Sequence, residues 1–344
     1  MGLYYDSGYV NIEYIIGKHM AFNFIVGGRG TGKTYTALKT MREKGCKFIY
    51  MRRTQTQLDS VCTKELSPFK PLNLARGEII EPAAMGKNAY KWVRMDLDEN
   101  GEAVPAETVG YSFALSTISN LRGFSANDAD YLIYDEFIPE RHERPLKEEC
   151  LAFLNAIETI NRNRELEGRQ PICVLCLANA NDFANPLFVG LRLVRTVENM
   201  LEHEKTEYIN PQRGIAVYML TDSPISLQKA NTALYRLKAR DFSDMAIRNI
   251  FANFEDENIK SQSLKEYKPI FGIGELCFYR SKADVQKIYV CGHFSGTIPI
   301  YPPTREGVNN LRYKHKTVLS LILLGRCLYE THFDRALLEK YLTI

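Results

Sequence analysis

Long apolar runs are missing from this chain of 344 residues. The longest in its last part, Val318–Leu324, is broken by a serine and falls far short of the roughly 20 apolar residues that a bilayer-crossing helix needs. At the N-terminus no basic stretch leads into an apolar core, so no secretory signal is read there. These two absences set the expectation of an intracellular protein without a membrane span, whose eight cysteines stay reduced. Paired cysteine motifs are scarce as well. Cys173 and Cys176 are spaced as CxxC, but a second pair is lacking, and structural zinc takes four ligands. The surrounding ICVLCLA reads as a buried strand that uses its cysteines as small apolar groups. Internal repeats and low-complexity tracts are also absent, which excludes solenoid architectures. Strong charge of one sign is missing too, and a net +3 does not by itself announce a nucleic-acid partner.

What is present is an ordinary folded composition, 45% apolar and 25% charged, in a chain long enough for two domains or one with a sizeable appendage. Its charge is unevenly placed. From Ser263 onward 12 Lys and Arg stand against 7 Asp and Glu, while the rest of the chain is slightly acidic. A mildly basic tail region fits a polyanionic partner, and fits an ordinary solvated surface equally well.

The stretch that organises the chain is FIVGGRGTGKTYTALKT, residues 24–40. Phe24–Val26 is a short apolar run. Gly27, Gly28, Arg29, Gly30, Thr31, Gly32, Lys33 and Thr34 then satisfy the phosphate-loop pattern G-x-x-x-x-G-K-[ST]. Tyr35–Lys44 continues at helical spacing, with Ala37, Leu38 and Met41 on one face. Strand, glycine loop and helix in that order suit anion binding, because turned backbone N–H groups and the helix start both face the ligand. In such a loop Lys33 reaches the β- and γ-phosphates of ATP, and the Thr34 hydroxyl binds Mg²⁺. A glycine-rich turn with a chance lysine is the plain alternative, and eight matching positions with both flanks correct weigh against it.

The second half of such a site is read about a hundred residues downstream. Tyr131–Tyr134 is a buried strand that ends in Asp135 and Glu136. Carboxylates at the C-terminal edge of a parallel strand fit a Mg²⁺ ligand, Asp135, followed by a residue that polarises attacking water, Glu136. Asn179, after the strand 171–178, is a candidate for touching the γ-phosphate or water, or for capping a helix. Between these motifs, Lys47–Met51 is a second strand ending in Arg52 and Arg53, for which phosphate, a neighbouring subunit and solvent all remain open. Gln55–Glu65 reads as a helix stopped by Pro68 and Pro71. Residues 90–95 and 108–115 alternate like strands around the turn Asp98–Gly101, a β-hairpin insertion. The tyrosine-rich Met1–Met20 reads as a strap leading into the first strand, with adenine as a candidate contact.

The remaining chain is read as follows. Residues 145–160 form a helix running into Asn161–Glu165, and residues 215–220 are the last strand of a domain spanning 1–222. Residues 223–262 form a helical linker, with helices at 227–240 and 242–254. Residues 263–344 form a β-rich unit with strands at 271–279, 287–291 and 297–301 and helices at 318–328 and 334–342.

The series FNFIVGGRGTGKT, FIYMRR, YLIYDEF, NRNRE, CLANA and Asn185-Pro186 resembles, in order and spacing, the DNA-packaging ATPases of small phi-29-like tailed phages, viral relatives of the large terminase. The resemblance covers Asn23 to about Phe188. It implies an α/β fold: a RecA-like phosphate-loop domain of the additional-strand catalytic glutamate (ASCE) kind, a β-hairpin insertion, a helical linker and a small RNase H-like C-terminal domain. It further implies a homomeric ring, usually a pentamer, at the portal vertex of a prohead, driving double-stranded DNA inward with ATP and Mg²⁺ in the host cytoplasm. A structural RNA on the prohead is a partner in some relatives. At the position of Arg162 the family carries an arginine that completes a neighbour's site by stabilising charge on the transferring phosphoryl group. A second basic residue acting in trans corresponds to Arg122, and Arg29 within the loop is also family-like. Locally, Arg162 and Arg164 read as a solvated helix end, and only the resemblance favours Arg162.

In large terminases the C-terminal domain cuts DNA with clustered carboxylates on two metals. The candidates here, Glu275, Asp284, Glu306, Glu330 and Asp334, include no obvious inward pair on a strand, so a docking and nucleic-acid-binding module without cleavage is expected. The competing readings are a terminase-like nuclease, a non-packaging DNA-translocating or assembly ATPase, and a ring that binds nucleotide only for structure.

Overall fold

The computed structural model describes residues 2–121, 126, 128–140, 143, 146–162, 164–229 and 256–343. The chain divides into two compact units, one of Met1–Asp182 with Met200–Ala252 and one of Phe183–Asn199 with Asn253–Ile344.

Strands in the first unit are β1 (Phe22–Val26), β2 (Lys47–Arg52), β3 (Ile79–Ala84), β4 (Ala89–Leu97), β5 (Ala103–Ala114), β6 (Ala129–Asp135), β7 (Cys173–Ala178), β8 (Glu207–Asn210) and β9 (Ile215–Met219). They form one sheet in the order β3-β4-β5-β2-β6-β7-β1-β9-β8. From β5 to β9 neighbours run parallel, while β3, β4 and β8 pair antiparallel at the two edges. Parallel strands are covered on both faces and so are apolar nearly throughout, as in FIV of β1, FIYM of β2, LIY of β6 and VLCLA of β7. Helices α1 (Ile12–Ile16), α2 (Lys33–Lys44), α3 (Gln55–Val61), α4 (Lys70–Arg76) and α5 (Glu149–Asn161) belong to this unit. α2 buries Ala37, Leu38 and Met41 in one apolar cluster with Phe48, Tyr50, Ile133 and Leu175.

The decisive topological feature is β7. It lies between β1, which leads into the glycine loop, and β6, which ends in the acids. This additional strand is the one that the ASCE arrangement requires, and it sets the spacing between loop and acids. The ends of β1, β6 and β7 therefore open at one edge of the sheet, where ligands of open α/β sheets bind.

The β-hairpin is more than an appendage. The far half of β5 is a full member of the parallel sheet, with Phe48 opposite Gly110 and Met51 opposite Phe113. Gly110 allows that approach, since a Cβ there would meet the Phe48 carbonyl oxygen at 2.7 Å. The helix expected over 55–65 ends at Val61, and Pro71 sits in the first turn of α4, where its missing N–H costs nothing.

In the second unit, α6 (Pro186–Gly190) and α7 (Val194–Glu202) join a five-stranded mixed sheet of β10 (Tyr267–Ile273), β11 (Leu276–Ser281), β12 (Ile288–Cys291), β13 (Ile300–Tyr301) and β14 (Cys327–Tyr329). β10–β12 form an antiparallel meander, and β13 and β14 add parallel strands at opposite edges. Phe271, Phe278, Val290, Val308, Leu311 and Leu338 form its core. The unit is small and β-rich, as expected.

Its details differ from the sequence reading. The single strand expected over 271–279 is a hairpin turning at Gly274, which has φ 53°. The helix expected over 318–328 stops at Leu323, and residues 327–329 form β14, because Gly325 at φ 72° ends the helical run. The helix Arg305–Lys314, capped by Thr304, was not anticipated. Phe183–Asn199 packs with the C-terminal unit, although the sequence reading placed it inside a domain ending at 222. Of the linker helices expected over 227–240 and 242–254, the described residues include just the start of the first, which falls within α8 (Pro224–Lys229); residues 230–255 lie outside the described residues, as does Arg122.

Candidate active site

The glycine loop follows β1 directly, and α2 begins at Lys33, the seventh position of the motif. Gly32 caps that helix at φ 83°, a conformation that side-chain-bearing residues avoid. Within the loop the Thr31 hydroxyl donates to Gly28 O at 3.0 Å. Lys33 is buried and its Nζ donates to Gly27 O at 2.9 Å, Gly28 O at 2.8 Å and Asn179 Oδ1 at 3.3 Å. The lysine and the amide at the end of β7 are thus neighbours, as the order of strands dictates.

The acidic strand tip meets the same loop. Thr34 Oγ1 donates to Asp135 Oδ1 at 3.0 Å. Asp135 Oδ2 accepts from Tyr50 Oη at 2.7 Å and from Arg52 Nη1 at 3.2 Å. Burial, and then the Asp135 charge, push the Tyr50 phenol well above its ordinary range, so it stays a donor. Glu136 takes a left-handed backbone at φ 56° just past the strand, and half of its side chain is exposed. Its Oε2 pairs with Arg52 Nη2. Burial alone would depress the Arg52 guanidinium, but Tyr50, Asp135 and Glu136 outweigh it, so its charge is secure.

A cleft of about 480 Å³ is lined by Arg29, Gly30, Gly32, Lys33, Thr34, Tyr35, Asp135, Glu136, Ala178 and Asn179. That volume suits a nucleotide-sized ligand. Arg29 leans away from the loop to Glu140, at 2.6 Å. The Thr34 hydroxyl and the Asp135 carboxylate are hard oxygen donors at hydrogen-bond distance. Two such ligands with substrate phosphates and waters are what Mg²⁺ takes, so these residues fit that ion.

Arg52 is the residue that sequence reasoning left unassigned. β2 and β6 are parallel neighbours with Met51 opposite Tyr134, so Arg52 and Arg53 stand beside Asp135 and Glu136. The signal was two arginines ending one buried strand and two acids ending another. Arg53 turns the other way. It is 1% exposed, its Nε and Nη2 donate to Glu149 at 2.7 and 3.0 Å, and its Nη1 to Glu143 at 2.9 Å.

Arg162 and Arg164 are separated just as clearly. Arg164 is buried, with Nη1 on Ala129 O at 2.5 Å, Nη2 on Asp130 at 2.6 Å and Nε on Gln170 O at 3.3 Å. It ties the α5–β7 connection to the start of β6. Arg162 is the exposed C-cap of α5 at φ 45° and is not among the residues lining the cleft of its own chain.

Of the carboxylates weighed in the C-terminal unit, Glu275 pairs with Arg192 at 2.6 Å, Glu330 lies 3.6 Å from His293, and Asp334 caps the last helix with Thr331. Among the described residues no three His, Cys, Asp or Glu side chains gather as a metal site. A cleft of about 560 Å³ in this unit is lined by Arg192, Arg195, Glu275 and Asp334 together with Gly292 and Phe294, and its opposite charges face one another. Cys176 is buried within β7, and no disulfide forms among the described residues. No helix among the described residues is long and apolar enough to cross a membrane.

Comparison with known proteins bears on the whole chain. The profile of a family described as Podovirus DNA encapsidation protein (Gp16) matches residues 92–283. The chain is 26% identical over 257 residues to the DNA packaging protein of Bacillus phage B103, covering 73% of this chain and 70% of that protein. With the DNA packaging protein of Bacillus phage phi29 it shares 23% over 275 residues, covering 78% and 73%. Among solved structures, the phi-28 gp11 DNA packaging motor superposes with a TM-score of 0.65 at 19% identity over 98% of each chain. The bacteriophage phi-29 viral genome packaging motor assembly does so with 0.63 at 18% identity over 99% of this chain and 100% of that one. At these identities the superpositions speak for the fold, and they do so for both units.

Proposed function

The chain belongs to the podovirus DNA encapsidation protein (Gp16) family, and from that membership we propose that it is the ATP-hydrolysing subunit of a viral genome-packaging motor. It works as a homomeric ring, five subunits by family resemblance, bound to the portal of a prohead in the host cytoplasm. It moves double-stranded DNA inward, and a structural RNA on the prohead is a further partner to test. The observation that carries the reading is the 3.0 Å contact between Thr34 and Asp135, with Lys33 and Glu136 lining the same cleft.

Each residue has a part set by its position. Loop N–H groups and the start of α2 cradle the β- and γ-phosphates, and Lys33 moves from its carbonyl partners to the phosphate oxygens. Thr34 and Asp135 hold Mg²⁺, which when bound neutralises phosphate charge. Glu136 orients and polarises the attacking water, Asn179 holds its place beside Lys33, and Arg52 fixes both acids. Arg162, exposed at the end of α5, supplies positive charge to the transferring phosphoryl of a neighbouring subunit, and Arg122 is a second residue acting in trans. DNA is gripped through its phosphates, so translocation does not depend on sequence.

ATP turnover of the full chain, with Glu136→Gln and Lys33→Ala as variants, tests this. Removing a general base or a phosphate clamp lowers turnover about a hundredfold or more. Equal rates in Glu136→Gln and wild type would contradict the role given to that carboxylate.

A further inference from the structure

The phenol of Tyr50 reaches the acidic strand tip from inside the core. In the parallel pair of β2 and β6, Tyr50 stands opposite Ile133, so Tyr50 and Arg52 share a sheet face with Asp135. That face is covered by α2, whose Ala37, Leu38 and Met41 lie in one cluster with Phe48, Tyr50 and Ile133. Tyr50 is 1% exposed and is not among the residues lining the cleft. Its hydroxyl nonetheless donates to Asp135 Oδ2 at 2.7 Å, whereas Oδ1 of the same carboxylate takes the Thr34 hydroxyl at 3.0 Å.

The ring itself is held by the root of the β-hairpin. Ser112 of β5 stands opposite Tyr50 in the sheet, and its hydroxyl accepts from Trp92 Nε1 of β4 at 2.6 Å. Trp92 is fully buried, and its ring meets that of Tyr50 edge-on, with centroids 6.3 Å apart and planes at 86°. Phe69 packs on Trp92 in turn, at 5.0 Å between centroids. A phenol enclosed in this way is kept in one place by close packing, and its hydroxyl with it. Arg52 is a different kind of partner. Its contact with Asp135 is longer, 3.2 Å, and the same guanidinium also serves Glu136.

We propose that Tyr50 is the positioning residue of Asp135: it pins Oδ2 and so keeps Oδ1, the oxygen left for Mg²⁺, turned to Thr34. This rests on the reading of the cleft as a magnesium–triphosphate site. An ionised carboxylate only accepts hydrogen bonds, and without fixed donors it turns about its last bond and presents either oxygen. Outer partners of this kind orient a metal ligand, and losing one weakens metal binding about 10- to 100-fold. The hairpin root thereby acts on the site from outside it, since Trp92 and Ser112 hold the ring that holds the ligand.

Tyr50→Phe removes one oxygen atom and keeps the ring. Its effect is read by calorimetric titration of a non-hydrolysable ATP analogue into the full chain, with and without magnesium. With magnesium the variant should bind about 10- to 100-fold more weakly than wild type, and without it as tightly as wild type. Equal affinities with magnesium would overturn the proposal. A loss of the same size with and without the metal would overturn it too, since the phenol would then support the whole cleft and not the metal ligand. A wild-type chain whose affinity does not rise with magnesium would instead remove the magnesium–triphosphate site, and the role of Tyr50 with it.

Discussion

Arg52 and Arg53 are adjacent in sequence and opposite in consequence. Arg52 holds the two carboxylates on which the proposed chemistry rests, so Arg52→Ala is expected to lower ATP turnover about 10- to 100-fold through misplaced acids. Lysine is a poor substitute, because one point donor cannot reach Asp135 and Glu136 together. Arg53 and Glu149 are both fully buried, and removing one partner strands a charge in the core. Arg53→Ala is therefore expected to cost about 3–5 kcal/mol in denaturant unfolding. Reversed outcomes, a stability loss at Arg52 and an activity loss at Arg53, would contradict the assignment. His315 is a residue whose effect is read in pH. Burial, then the nearby Lys314 charge, hold its imidazole below the ordinary value, and it packs on Phe271 at 4.1 Å between ring centroids. Because its folded-state pKa is depressed, its stabilising contribution is full above the unfolded value of about 6.5 and is lost as pH falls through the lower folded value. The difference in melting temperature between wild type and His315→Gln should accordingly shrink between pH 8 and pH 5; a constant difference would show that its titration is not linked to folding.

At the scale of elements, the outer part of the β4–β5 hairpin is acidic. It carries Asp96, Asp98, Glu99, Glu102 and Glu107 against Arg94. Asp98 fixes the turn by accepting from the N–H groups of Asn100 and Glu102, both at 2.9 Å. A set of carboxylates held on a defined turn repels phosphate. Replacing Asp98, Glu99 and Glu102 by their amides should leave DNA affinity at moderate salt unchanged or higher, and a clear loss would place the tip on the DNA. The same hairpin shows what sequence could and could not deliver. Alternation and the turn at Asp98–Gly101 announced two strands, but the entry of Gly110–Ala114 into the parallel sheet beside β2 depends on long-range register. Arg52 was illegible for the same reason: its meaning appears only once β2 lies beside β6. The phosphate loop and the acidic tip were readable because each is a contiguous pattern whose chemistry is local. The hairpin within 271–279 was misread because its turn is only the two residues Gly274 and Glu275, set between two apolar runs.

At the scale of the whole molecule, the proposed motor needs sites assembled from two chains. Arg162 is exposed and absent from its own cleft, while Arg164 is committed to Ala129, Asp130 and Gln170. Mixing Glu136→Gln with Arg162→Ala, each inactive alone, should restore part of the ATPase rate, because some interfaces then combine an intact acid with an intact arginine. Intact rings with no recovery would remove Arg162 from that role. The account as a whole stands on Thr34 and Asp135 sharing one magnesium-bound triphosphate. Titration of a non-hydrolysable ATP analogue with and without magnesium, in wild type and Asp135→Asn, measures this directly. Wild type should bind more tightly with the metal, and the variant should lose that gain while keeping its metal-free affinity; an equal gain in both proteins would contradict the account.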